Sequence, residues 1–304
     1  MSMRATMAAG LFLLAALPAP AQTALEWKFK EGDKFYVEVV TENKQAVTVG
    51  DKTSNSESTY TTVSRFEVKK ADSGSYTIEQ TIEGVQVKSN KTDDPTVAVV
   101  SRFANLLKGA TFKFTLSSSG KISGNLEGYD DLIKKLSGGN EKAEKGNRAL
   151  LPEDAFKDEL AAVFGFLPDK PVASGATWTR DESMALPWGK LSGKATYTYD
   201  GKDKDGEKIS IERRLSYAVP EGEGAAGVKV TKGDVKVEGA GGTVIADPAA
   251  GRLVSATQKM HVSGTITVTD TSTKDTTAAK PTTFTVDQTT TRTIRRVDKN
   301  PLEK

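Results

Sequence analysis

Apolar and polar residues alternate along much of the chain, first at Leu25-Glu26-Trp27-Lys28-Phe29. A period of two marks a strand with one face buried. The turn Glu31-Gly32-Asp33 leads into a second such run, Phe35 to Val40, which a polar stretch from Gly50 to Ser58 interrupts and Thr61 to Val68 restores. Asp72-Ser73-Gly74 has the chemistry of a hairpin turn, because glycine accepts positive φ and aspartate bonds its own backbone. Tyr76 to Ile82 is the predicted return strand.

At Pro95 the period changes. Val97, Val100, Phe103, Leu106 and Leu107 recur at helical spacing and predict a helix from about Thr96 to Lys108, capped by Asp94 and stopped by Gly109. A strand from Thr111 to Leu116, a turn ending at Gly120 and a short run from Lys121 to Ser123 follow. Gly128 to Leu136 predicts a second helix, with Leu132, Ile133 and Leu136 on its apolar side, and Gly138 to Gly146 reads as a charged, glycine-rich linker. Pro152-Glu153-Asp154 opens a third helix with acids where the helix dipole favours them. Its apolar stripe is Phe156, Leu160, Val163 and Phe164, and Leu167-Pro168 ends it.

Beyond Gly175-Ala176-Thr177-Trp178-Thr179 the chain is predicted almost wholly as strand: Lys194 to Tyr199, Ile209 to Glu212, Val228 to Val237, Gly241 to Ser255, and a threonine-rich hairpin of Met260 to Val268 with Phe284 to Ile294. Gly241 to Ser255 echoes Gly109 to Ser123, and the hairpin around Asp205-Gly206 echoes the one around Asp72-Ser73-Gly74. Because these elements recur in the same order, an internal duplication is expected. The expected fold is α+β, predominantly antiparallel β: two related halves of curved sheet, as in a β-sandwich, with about three short helices. Residues 22–140 form the first half with two helices, and residues 150–304 the second, preceded by a helix. Only the first echo is flanked by helices, so a specialised surface is expected near residues 95–136.

Residues 1–21 alter the picture of where this fold acts. They hold one charge, Arg4, then an apolar run from Met7 to Leu17 and the small residues Ala19-Pro20-Ala21. That is the build of a secretory signal peptide, with cleavage expected after Ala21. The run is shorter than the ~20 residues that span a bilayer, and no later segment is apolar enough, so no transmembrane segment is expected in the mature chain. The protein is expected to be exported, periplasmic or extracellular. It has no cysteine, so neither a disulfide nor a lipid-bearing thiol is available. The formal net charge is +2, and loss of Arg4 leaves +1; so even a balance gives no electrostatic footprint for nucleic acid.

Several short motifs resemble those of an uncharacterised family of exported bacterial β-rich proteins, a domain of unknown function. They are Gly32-Asp33-Lys34-Phe35, Leu107 through Gly109-Ala110-Thr111-Phe112, Gly120-Lys121-Ile122 followed by Gly128-Tyr129-Asp130, and Leu167-Pro168 leading to Gly175-Ala176-Thr177-Trp178. The resemblance covers most of the mature chain. It implies export and a β-rich fold, and carries over no activity.

Candidate chemistry is sparse. Gly222 to Gly227 fits G-x-G-x-x-G, but Pro220-Glu221 precede it and a predicted strand follows, so the helix N-terminus that receives a pyrophosphate is missing. Asp203-Lys204-Asp205-Gly206 with Glu212 overlaps a calcium loop whose first ligand position is Gly201 and whose flanks read as strand. His261 is the only histidine, and Ser118-Ser119-Gly120-Lys121 places an S-x-x-K in a turn rather than on a helix. The acid pairs Asp130-Asp131 and Glu153-Asp154 stand at helix starts, where capping explains them. No catalytic, cofactor-binding or metal-ligating residue is therefore assigned. Trp27, Phe35, Phe103, Phe112, Phe114 and Trp178 could line a cavity for an apolar ligand. The leading expectation is a non-catalytic exported cell-envelope protein acting through binding or structural contacts. A carrier of a lipid or other apolar small molecule comes second and a hydrolase third; the expected partner is an envelope protein or an apolar small molecule.

Overall fold

The computed structural model of the protein describes residues 22–91, 101, 104–186, 188–220, 228–247, 250–270 and 281–303. The segment expected to be a signal peptide, most of the helix expected over residues 96–108, and the Gly222–Gly227 motif lie outside the described residues; residues 104–107 are helical. In chain order the elements are β1 (Lys34–Val49), β2 (Lys52–Asp72), β3 (Ser75–Ser89), β4 (Thr111–Ser117), β5 (Ile122–Glu127), α1 (Tyr129–Ser137), α2 (Glu141–Leu150), α3 (Glu153–Phe164), β6 (Thr177–Leu186), β7 (Gly189–Asp203), β8 (Gly206–Ala218), β9 (Val228–Asp247), β10 (Arg252–Asp270) and β11 (Thr282–Val297).

All eleven strands form one antiparallel sheet in the order β5-β4-β3-β2-β1-β11-β10-β9-β8-β7-β6. Among the described residues there is no second sheet, so the fold is not a sandwich. Strands β1 and β11 pair from Tyr36↔Val297 to Val49↔Phe284 and fuse the two expected halves into one surface. Two runs of five strands, β1 to β5 and β6 to β10, thus flank β11 with the same strand order and direction.

The structure corrects four local expectations. Leu25 to Phe29 buries alternate residues yet joins no strand ladder; the Trp27 amide donates instead to the Ser118 carbonyl oxygen at 2.8 Å. The polar stretch 50–58 is a continuation of the β1–β2 hairpin, in which polar residues can pair freely because the strands run past the core. Residues 141–150 are helix α2 rather than linker, because the Asn140 side chain accepts from the Ala143 amide at 3.0 Å and caps a run of helix formers. Gly241 opens no strand: β9 runs unbroken from Val228 to Asp247.

The two free edges of the sheet approach each other at one end. Arg180 on β6 donates to the carbonyl oxygens of Ser119, in the β4–β5 turn, and Leu167, after α3, at 3.2 and 2.5 Å. Lys121 reaches Asp169 at 2.9 Å, and Thr23 and Val172 form an isolated bridge. The sheet therefore curls, and its inner face wraps α3.

Candidate functional site

Helix α3 fills one arm of the curl. Phe164, at its C-terminus, stands edge-on to Phe66 and Trp27 at ring separations of 5.3 and 5.5 Å, while Phe156 packs 5.2 Å from Phe112. The Trp27 indole N–H donates to the Phe164 carbonyl oxygen at 3.0 Å, and the Tyr76 hydroxyl to the Trp27 carbonyl oxygen at 2.7 Å. Approach is so close that a Cβ on Gly120, whose φ is +84°, would fall 1.9 Å from the Phe164 carbonyl oxygen.

Four of the expected lining residues belong to this packing. Trp27 and Phe35 border a gap of about 10 Å³, the room of at most one water. Phe112 and Phe114 are buried against Phe156 and Phe164. Phe103 lies outside the described residues. Trp178 stands apart on the edge strand, stacked on Tyr197 at 5.7 Å.

Across α3 the other arm is open. A cleft of about 1010 Å³ separates the helix from the inner face of β6, β7, β8, β10 and β11. Its apolar wall comes from Ile122, Ala162, Phe166, Met184, Ile211 and Met260. At Gly193 the inner face carries no side chain into this space. Gly193 pairs with Glu182 and Leu215, and a Cβ there would lie 2.0 Å from the Arg214 carbonyl oxygen. No side chain can fill the trough at that point. Among the described residues, the surface expected near residues 95–136 contributes Gly120, Lys121 and Ile122 to the cleft, whose other lining residues come from α3, the segment after it and the second arm.

Charge is set into this cleft in a defined pattern. Arg213 is 12% exposed and meets Glu182 through Nε at 2.6 Å, and the Tyr197 hydroxyl donates to the same carboxylate at 2.8 Å. Burial first, and then the Glu182 charge, push the Tyr197 phenol up, so it stays a donor. Arg292, 15% exposed, grips Glu159 of α3 with both Nη atoms. Among the described residues, Arg180, 19% exposed, has two backbone carbonyls within hydrogen-bonding distance, and its nearest carboxylate is Asp169 at 3.8 Å. The hydrogen bond from Lys121 already holds Asp169 below the usual carboxylate range. Asp158 faces the cleft from α3. Desolvation, followed by repulsion from Asp154 and Glu159, raises it to about 6.

None of these charged residues stood out as chemistry in the sequence. The signal was their register: Arg213 follows Ile209 and Ile211, and Arg292 precedes Ile294, each at a position where the alternation calls for an inward apolar residue. The motifs that did stand out lie elsewhere. His261 contacts Asp287 at 3.1 Å on the opposite face of the sheet from Met260. Asp203 to Gly206 is the β7–β8 turn. Lys121 bonds Asp169 rather than Ser118. Among the described residues, no group of three or more His, Asp or Glu side chains is placed to hold a metal ion, and no helix is long and apolar enough to cross a membrane.

Among curated proteins, none matches the chain. Among solved structures it is similar to a chain from "Lipid-protein interactions in lipovitellin", at 11% identity and a TM-score of 0.41; the match covers 91% of this chain and 27% of that one. A DUF1329 family protein from Desulfovibrio piger matches at 9% identity, 83% coverage of each chain and a TM-score of 0.13. The P. putida toluene transporter TodX matches at 7% identity, 90% and 92% coverage and a TM-score of 0.16. The sequence profile of a family of unknown function, DUF6263, matches residues 70–277, more than half of the chain, and the protein belongs to that family.

Proposed function

We propose that the protein is a non-catalytic, exported binder and carrier of an amphiphilic small molecule, which it holds between α3 and the inner face of β6 to β11. One observation carries this reading: a cleft of about 1010 Å³ with an apolar wall, in a sheet whose other arm is filled by aromatic packing on α3. That volume stands at the upper end of the ~300–1,000 Å³ usual for small-molecule sites. Residues 1–21 serve as the leader, and the mature chain from Gln22 works in the periplasm or outside the cell. An internal duplication fits the same layout, since β1 to β5 and β6 to β10 repeat one order and direction on either side of β11. In this reading one copy kept α3 as its filling and the other became the receptacle.

Native mass spectrometry of the exported protein tests the proposal. The expected polypeptide mass is that of a chain starting at Gln22, with an added small-molecule mass that organic extraction removes. The extracted protein should then take up Nile red saturably at one site. An unprocessed N-terminus would refute the export part, and absence of saturable uptake would refute the carrier.

A further inference from the structure

The three arginines of the cleft are not equivalent. Arg213 and Arg292 each face their own carboxylate, Glu182 and Glu159, within hydrogen-bonding distance. Arg180 does not. Its Nη2 donates to the carbonyl oxygens of Leu167 and Ser119; its Nε, like that of Arg292, is buried without an acceptor among the described residues. Asp169, 3.8 Å away, is shared with Lys121, which holds it at 2.9 Å. A guanidinium removed from most of its water needs an anion or several well-placed acceptors. Here two carbonyl dipoles stand in for a full counter-charge.

The place of Arg180 matters as much as its charge. It lines the end of the cleft where the sheet edges meet, beside Phe166, Lys121 and Ile122. Of the acids lining the cleft, Asp181 adjoins Arg180 in the chain but is largely exposed, with Lys194 at 3.9 Å, and Glu159 is held by Arg292. Glu182 is two residues further along β6 and occupied by Arg213 and Tyr197. Asp158 lies about two turns back along α3 from Gly165. The closed end is thus cationic and incompletely neutralised, and the trough leading away from it passes Ala162 and Ile211 toward Met184 and Met260.

We infer that the ligand of the cleft is an anionic amphiphile, a carboxylate or phosphate monoester on a single hydrocarbon tail, with its head on Arg180 at the closed end and its tail along the apolar trough. This inference rests on the carrier reading above. A guanidinium offers planar, paired donors that match both anions. The head completes the coordination that Ser119, Leu167 and the shared Asp169 leave unfinished, and Lys121 adds a second cation at the mouth of that end. In this arrangement Arg180 both ties the sheet edges together and selects the ligand.

Titration calorimetry on the extracted mature protein, at pH 7.5 and low salt, compares dodecanoate, dodecyl phosphate and dodecanol below their aggregation limits. One or both anions should bind about tenfold or more tightly than the alcohol. Which anion leads decides the head-group chemistry, and either supports the inference. Arg180→Gln should bring the ratio of anion to dodecanol affinity down to about one, and Arg180→Lys should restore most of it. Equal affinities for all three ligands in the wild type would overturn the inference yet leave the carrier standing; failure of all three together with Nile red would remove the carrier itself. A preference that survives Arg180→Gln also overturns it. Should Arg180→Gln fail to fold, the wild-type ratio of anion to alcohol decides alone.

Discussion

The two arms of this sheet share strand order and direction, and differ in what their inner faces carry. Strands β2 to β4 turn Phe66, Tyr76, Ile78, Phe112, Phe114 and Leu116 inward, where they are buried in one cluster with Leu160, Val163 and Phe164 of α3. Strands β6 to β8 turn inward Arg180, Glu182, Gly193 and Arg213 among fewer large apolar side chains, and about 1010 Å³ stays open. An arginine or glutamate at an inward position costs stability unless paired, and a glycine there contributes no packing. The second arm therefore gives up close packing at the positions where it gains an accessible, charged trough. Sheet topology alone does not decide whether such a fold is a solid body or a vessel. Side-chain volume on one face does.

The sharpest way to break the contrast is to empty the filled arm. Phe164 touches Trp27, Phe66 and Phe114, and its backbone carbonyl receives the indole N–H of Trp27. Phe164→Ala should cost about 3–5 kcal/mol of unfolding free energy, since the surrounding aromatics cannot all collapse into the void. Urea denaturation measures it. A loss below about 1 kcal/mol would mean that α3 does not plug the first arm as described.

The converse change fills the open arm. Ala162 sits on α3 facing the cleft, half-buried, with space ahead of it. Ala162→Phe should lower Nile red affinity about tenfold and, because Ala162 also borders the main core, cost about 1 kcal/mol of unfolding free energy, well below the cost of Phe164→Ala. Destabilisation as large as that of Phe164→Ala would show that Ala162 belongs to a packed core and that the trough is not open in solution.

These pairs also show what the sequence could and could not reveal. The stripe Phe156, Leu160, Val163, Phe164 was legible because helix periodicity and burial coincide there. So were the hairpin at Asp72-Ser73-Gly74, where turn chemistry and alternation agree, and the pairing of Met260 to Val268 with Phe284 to Ile294. Residues 50–58 were misread because a strand that projects past the core needs no apolar residue. Helix α2 was misread because Gly138, Gly139 and Gly146 outweighed the Asn140 cap. The aromatic residues were visible as a set, but whether they enclose a cavity or fill one depends on which helix packs against them, and that is a long-range fact. The cleft arginines were invisible as chemistry for the same reason. Arg180 acquires its role from Ser119 and Leu167, which lie far from it in the chain.

The smallest expected effect concerns Asp158, and it separates the cleft from the surface by pH. In the unfolded chain this aspartate releases its proton near 3.8; in the folded protein it holds the proton up to about 6. Desolvation is the main cause, with Asp154 and Glu159 on its own helix and Glu182 on β6 adding repulsion, against an opposing pull from Lys190 on β7. Between these two values the folded state binds more protons than the unfolded one, so this group's contribution to stability falls as pH rises from about 4 to 6 and is constant above. Glu153 and Asp169 act in the opposite sense. Hydrogen bonds from the Leu126 amide and from Lys121 hold them low, and their contribution is lost only as pH falls through those depressed values. Subtracting wild-type from Asp158→Asn urea midpoints across pH 4 to 8 cancels the terms that both proteins share. The variant should gain on the wild type as pH rises through the window from 4 to 6, by about 1 kcal/mol or less because Asp158 keeps contact with water. A difference that does not change with pH would place Asp158 on an ordinary solvated surface and remove it from the wall of the cleft.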